Sequence, residues 1–314
     1  MEEKGNLQLH ESIKVENIHP STRLDQYLGN RMRNKSRNMI QRKIKEQKVW
    51  VNGKPSRSNY KVKPGDLIEW YESYGKMNDI TPLAVELDVV YETDELIVIN
   101  KKAGMPMHPG LGNYDNTLVN ALKYYYEQKG EHDNLVKDCL VHRIDKNTSG
   151  IVVVPKTKEA FHALEIQFQQ KTTERVYLAI VWGIPIQHVA TLRHFMGRNP
   201  LNQRSIEISE DRRFGKLGVT HYELVEHHKK YSLVRCVLET GRTHQIRLHM
   251  KHIGHPLVGD SRYFIKRPDF DNSILERHAL HAHMLGFEEP STGLWKVFST
   301  PIPEDMQGLL NLSE

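Results

Sequence analysis

Apolar positions along the chain change their spacing twice. Across residues 22–45 they recur at helical intervals. Leu24, Tyr27, Leu28 and Met32 make one stripe, and Ile40 and Ile44 another, while Arg37, Arg42, Lys43 and Lys45 largely face outward. Thr22-x-x-Asp25 reads as a capping box for the first helix, and Ser36 can cap the second. Val49-Trp50-Val51 and Leu67-Ile68-Glu69-Trp70 are then short strands. They are punctuated by Asn52-Gly53, a pair favoured in tight hairpins, and by the turn Pro64-Gly65-Asp66. Beyond residue 87 strand-like runs recur at 96–99, 151–154, 176–181, 220–225, 232–239 and 294–299. Between them, Thr157 caps a helix that buries Ala160, Phe161, Leu164 and Phe168. Strands dominate over regular strand–helix alternation. The fold class predicted is α+β: a mixed, mostly antiparallel sheet with flanking helices, plus a small N-terminal α/β domain. The divisions predicted are a flexible polar tail over 1–15, a small domain over 16–72, a linker with Gly75 and Pro82 over 73–86, and a large domain over 87–314.

Charge adds a function to the small domain. Residues 21–70 carry thirteen Lys and Arg against four Asp and Glu, while the whole chain of 314 residues has a net charge of only +5. So concentrated a basic segment is the electrostatic footprint of a nucleic-acid surface. No apolar run approaches the roughly 20 residues that span a membrane. The start, Met1-Glu2-Glu3-Lys4, lacks the order of a secretion signal, and Cys139 and Cys236 make no disulfide framework or metal site. A cytoplasmic protein with buried, reduced cysteines is expected.

The candidate chemistry centres on His142-Arg143-Ile144-Asp145-Lys146-Asn147, followed by Thr148-Ser149-Gly150 and the run Ile151-Val152-Val153-Val154. Asp145 is a lone carboxylate on a loop held between strand-like segments, where reactive groups are commonly displayed. The segment resembles the central motif of the RluA-type RNA pseudouridine synthases, with Ile144 in place of the commoner leucine. Further stretches match that family in order: Asp94 to Pro109, Arg175-Val176-Tyr177, Glu239-Thr240-Gly241-Arg242-Thr243-His244-Gln245-Ile246-Arg247-Leu248-His249, Gly254 to Asp260, and Arg277-His278-Ala279-Leu280-His281-Ala282. The N-terminal segment is similar to the αL RNA-binding domain of a small-subunit ribosomal protein, through Ser21-Thr22-Arg23-Leu24-Asp25, Ser36-Arg37 and Val51-Asn52-Gly53.

The resemblance implies an isomerase that breaks the N1–C1′ bond of uridine and rejoins the base through C5. No redox change or group transfer is involved, so no cofactor and no metal are expected. Asp145 is the implied catalytic carboxylate, as nucleophile or base. Arg247 is its implied partner, able to grip it bidentately and keep it ionised. Tyr177 would stack on the base or assist proton movement at C5. Arg143 would fill the helix where the uridine left it. His142 is open between RNA contact and loop support, and Ile144 completes the substrate-binding set. Arg23, Arg37, Arg42, Lys43 and Asn52 are the RNA-binding candidates of the small domain. The histidine runs 244–255 and 278–283 lack the ligand company of a zinc site. The partner implied is large-subunit ribosomal RNA, with transfer RNA as the alternative, no membrane, and a monomeric state. Two other readings remain: a non-catalytic RNA-binding or ribosome-assembly factor, and a metal-dependent nuclease, for which the motifs hold no carboxylate cluster.

Overall fold

The computed structural model describes residues 7–16, 21–32, 37–73, 80–110, 113, 115–131, 139–199, 205–267, 270–271 and 273–311. The chain divides into two units, 1–78 and 79–314. Ser36, residues 1–6 of the polar tail and 74–79 of the linker lie outside the described residues.

The first unit runs β1 (Leu7–Lys14), α1 (Leu24–Arg31), α2 (Arg37–Lys45), β2 (Val49–Val51), β3 (Lys54–Pro55) and β4 (Leu67–Ser73). Its sheet has the order β1-β4-β2-β3. Leu24, Leu28, Ile40, Ile44, Val49, Ile68 and Trp70 form one core. The hairpin between β2 and β3 pairs Val51 with Lys54. Asn52 and Gly53 both take positive φ, 53° and 76°, as the two-residue turn requires.

Three expectations fail in this unit. Residues 7–14 are an edge strand antiparallel to β4, not a flexible tail. Ile13 and Val15 bury themselves and the ladder pairs the rest, so a strand with one solvated face can be polar along most of its length. The capping box does not form: the N-cap is Arg23, with no side-chain cap bond, and Asp25 turns to other partners. Lys43 is buried, although its charge placed it outside; its aliphatic stem can cover apolar surface.

The second unit runs β5 (Val89–Glu92), β6 (Leu96–Lys101), α3 (Leu118–Gln128), β7 (Ser149–Pro155), α4 (Lys158–Gln170), β8 (Glu174–Trp182), β9 (Val189–Arg198), β10 (Ile206–Ser209), β11 (Lys216–His227), β12 (Tyr231–Leu238), α5 (Gln245–His252), β13 (Leu280–Glu288), β14 (Trp295–Ser299) and α6 (Glu304–Asn311). Among the described residues these strands make one ten-stranded sheet, ordered β10-β9-β11-β12-β8-β13-β7-β6-β5, with β14 on β13. Its pairings are antiparallel except β7 with β13. This is the α+β architecture the sequence predicts. Thr157 caps α4 by accepting the Ala160 N–H. No described helix is long and apolar enough to cross a membrane.

The parallel junction positions the loop before β7. There Gly150 sits at φ 116°, and a Cβ on it would fall 2.2 Å from the Ala282 carbonyl oxygen. Only glycine allows β7 and β13 to meet so closely.

Candidate active site

Asp145 closes a turn through its carbonyl, which accepts the Thr148 N–H at 3.1 Å. The next residues are fastened from β13 and the segment before it. Thr148 Oγ1 bonds His278 Nε2, and Ser149 Oγ bonds His281 Nδ1, each at 2.9 Å. Arg277 donates to the Asn147 carbonyl at 3.3 Å. From the other side the buried Lys101 ammonium donates to the carbonyls of Lys102, Met105 and Lys146 at 2.9, 2.8 and 3.2 Å. Burial brings Lys101 down to about 7; the Asp145 charge opposes that and Arg277 adds to it. His142 packs against the fold. It stacks on Phe168 with ring centres 4.5 Å apart, and its Nε2 accepts the Val153 N–H at 3.0 Å. Burial, aided by Arg175, holds the His142 ring neutral, at about 3.

The loop delivers Asp145 to a cleft of about 520 Å³, open solvent at its mouth included. Arg143, Ile144, Asp145, Tyr177, His244 and Arg247 all line it. Arg143 is exposed and Ile144 is buried at the wall. The hydroxyl of Tyr177, from β8, makes no hydrogen bond to the described residues, and burial with the nearby Asp145 charge lifts the phenol to about 12 against the pull of Arg175. It is a neutral aromatic face at ordinary pH.

Arg247 reaches Asp145, but not with its fork. Nη1 donates to Asp145 Oδ2 at 3.0 Å, while Nε and Nη2 take both oxygens of Asp260 at 2.7 and 2.9 Å. The expected bidentate grip therefore belongs to Asp260. That side chain is fully buried and also accepts the N–H groups of Arg262 and Tyr263. Burial works against its charge; Arg247 and the two N–H donors more than compensate and hold it ionised. Asp145 keeps 18% of its side chain exposed and its second oxygen unbonded among the described residues.

His244 approaches the same carboxylate oxygen as Arg247, Nε2 3.8 Å from Asp145 Oδ2, with Nδ1 bonded to the Tyr263 hydroxyl at 2.7 Å. Burial and the neighbouring arginines push its ring toward the neutral form. The Tyr263 ring also lies 4.9 Å from the Arg247 guanidinium carbon. Asp260, His244 and Tyr263 carry no assigned role in the sequence, although the first two stand in its motifs. Two further histidines of the runs 244–255 and 278–283 bond backbone elsewhere: His255 donates to the Trp182 carbonyl and His283 to that of Thr300. The cleft offers one open carboxylate and no metal cage among the described residues; the only group of three potential ligands found there is His194, Glu210 and His252, elsewhere.

In the first unit, Arg23 and Arg37 both close on the fully buried Asp25, joined by Gln41 at 2.6 Å. Burial opposes that charge, but the three donors prevail and hold the carboxyl at about 2. Asn52 bonds Asp66 and the Leu67 N–H, fixing the hairpin. Arg42 remains two-thirds exposed beside Glu46. Of the five RNA-binding candidates, only Lys43 is buried; Arg23, Arg37 and Asn52 are hydrogen-bonded into the fold while still reaching solvent, and Arg42 is the most open of the arginines.

Residues 95–252 match the family model for RNA pseudouridylate synthase, and residues 22–68 match the S4 domain. An uncharacterized RNA pseudouridine synthase of Chlorobaculum parvum is 37% identical over 95% of this chain and 96% of its own length. The ribosomal large subunit pseudouridine synthase D of Neisseria meningitidis is 37% identical over 92% of this chain and 78% of that protein. Human RNA pseudouridylate synthase domain containing 1 shares the fold, with TM-score 0.57 over 72% of this chain and 94% of that one, at 24% identity.

Proposed function

The chain belongs to the RNA pseudouridylate synthase family and is an RNA pseudouridine synthase of the RluA type, and from that premise we propose that it acts on large-subunit ribosomal RNA with Asp145 as the reacting carboxylate. The observation that carries this is the Asp145–Arg247 contact of 3.0 Å in a cleft lined also by Tyr177 and Arg143. The reaction breaks N1–C1′, forms C5–C1′, removes the proton of C5 and places one on N1. Asp145 acts at the sugar, as nucleophile on C1′ or as base, through the oxygen that Arg247 leaves open. Arg247 supplies the opposing charge and fixes the orientation of the carboxylate. Tyr177 offers the face against which the freed base turns, and Arg143, exposed at the rim, enters the RNA stack behind the extruded uridine. Ile144 packs the wall beneath the base. The isomerisation conserves atoms and electrons, so it requires no redox cofactor or second substrate.

The choice of ribosomal RNA rests on the relatives named for that substrate and on the S4 domain. The chain works as a cytoplasmic monomer, with the first unit, β1 to β4, as the RNA-binding domain and the second unit as the catalytic domain. Site choice follows RNA shape and accessibility more than a residue code. Incubating the protein with total RNA lacking this modification, then mapping pseudouridine at nucleotide resolution, tests each part. New pseudouridine in large-subunit ribosomal RNA is the expected result. Pseudouridine confined to transfer RNA would move the substrate, and none at all would leave an RNA-binding factor.

A further inference from the structure

Outside the cleft, three histidines converge, one of them distant in sequence from the other two. His249 and His252 lie three positions apart on α5 and so share a face. That face meets His194 of β9, whose ring centre is 4.3 Å from that of His252 and 5.2 Å from that of His249. Glu210, just after β10, brings Oε1 to 3.9 Å from His194 Nε2. One donor atom each from His194, Glu210 and His252 lies within 4.8 Å of the others.

A second observation concerns the inner side of the cluster, away from the nitrogen that His194 turns to Glu210. His194 Nδ1 and His249 Nε2 are buried without a hydrogen-bond partner among the described residues. Buried ring nitrogens are nearly always paired, so two orphans in one cluster call for an explanation. His249 is held from behind by Thr220 Oγ1 at 2.8 Å, in the way an outer partner fixes the ring of a ligating or supporting histidine. Burial, with each ring's histidine neighbours, also pushes His194 and His249 toward their neutral forms.

We propose that His194, His252 and Glu210 hold one divalent transition ion of the Zn²⁺ class, with water completing its shell and His249 walling its inner side. Two imidazoles and one carboxylate are a borderline donor set that favours Zn²⁺, Co²⁺ or Ni²⁺ over Mg²⁺ or Ca²⁺. Ligand bonds of about 2.0–2.1 Å put donor atoms roughly 3.3 Å apart. The observed spacing needs a closure of about 1 Å, within reach of the exposed Glu210 and His252 side chains. The ion would tie β9 and the residues after β10 to α5, the helix that carries Arg247. The sequence expectation of no metal considered runs of neighbouring histidines, whereas two of these three ligands, His194 of β9 and Glu210 after β10, lie outside those runs.

The test uses the full chain, without a histidine tag, stripped with a chelator and titrated with Zn²⁺ by calorimetry. Expected are one ion per chain, a higher thermal midpoint on loading, Co²⁺ visible bands distinct from the aqueous ion, and no comparable Mg²⁺ binding. His252→Gln and His194→Gln should each weaken binding at least about tenfold. Glu210→Gln should also weaken it and abolish the thermal shift; its side chain is 89% exposed, so folding is not at stake. His162→Gln, on an exposed α4 histidine, should change nothing. Binding below one ion per chain, Mg²⁺ binding as tight as Zn²⁺, or Zn²⁺ affinity untouched by Glu210→Gln and His252→Gln would overturn the proposal.

Discussion

The two units each hold an aspartate against arginine, to opposite effect. In the first, Asp25 is fully buried and receives Arg23, Arg37 and Gln41, so both of its oxygens are engaged. In the second, Asp145 receives one Arg247 nitrogen and keeps one oxygen open to the cleft. The saturation that Asp25 enjoys is given instead to Asp260, which takes the Arg247 fork and two backbone donors. An ion pair whose acceptors are all engaged is scaffold. One left incomplete, and held in place by a complete one, is available for chemistry.

Asparagine substitution breaks that comparison most sharply. Asp145→Asn should lower single-turnover pseudouridine formation by at least about a thousandfold, or about 4 kcal/mol, with RNA affinity nearly intact. Asp25→Asn should leave turnover on a short RNA fragment within about threefold, and cost the first unit about 1–2 kcal/mol, a figure discounted because both arginines are partly solvated. Equal losses of turnover from the two variants would end the distinction.

Asp260→Asn sharpens it next. A buried arginine would lose half of its paired charge, so stability should fall by about 3 kcal/mol in urea titration. If Asp260 also aims Arg247, turnover measured well below the unfolding midpoint should drop at least about tenfold with RNA affinity unchanged. A stability loss with full turnover would reduce Asp260 to a structural residue.

Acid should separate the units by a smaller margin. Burial, the chief cause for each, holds His142 at about 3 and His278 and His281 at about 4, below the ordinary 6.5. The unfolded chain therefore binds protons that the folded one refuses. Their contribution to stability is complete above pH 6.5 and is lost as pH falls toward 4. Asp25, at about 2 against an ordinary 3.8, has a shift of the same sign but a lower window, and its contribution persists until pH drops below 3.8. At pH 5.5 the second unit should lose about 1.4 kcal/mol per buried histidine while the Asp25 pairing in the first holds. Indole signals of Trp182 and Trp295 against those of Trp50 and Trp70 would follow each unit in urea. Parallel losses would contradict this assignment.

The smallest effect tests the basic surface. Arg42→Ala should flatten the log–log salt dependence of RNA binding by about 0.9 on a duplex-like target, with no change in turnover at saturating RNA. An unchanged slope would remove Arg42 from the interface.

Much of the architecture was legible because period and turn chemistry are local. The apolar runs that became β6, β7, β8, β11, β12 and β14, the Thr157 cap and the Asn52-Gly53 hairpin each follow from a few adjacent residues. Strands β9 and β10 gave weak local signals, since β10 is the sheet's edge, β9 lies next to it, and both carry mostly half-exposed or exposed side chains. β1 escaped notice because one solvated face lets an edge strand be polar. Motif order alone likewise singled out Asp145, Arg143, Tyr177 and Arg247. What motif order left undecided was geometry: which carboxylate takes the arginine fork, that His142 stacks on Phe168, that His278 and His281 fasten the turn, and that His194 meets His252. Those facts depend on hydrogen-bond directions and on contacts between distant segments, which exist only once the sheet has brought its strands together.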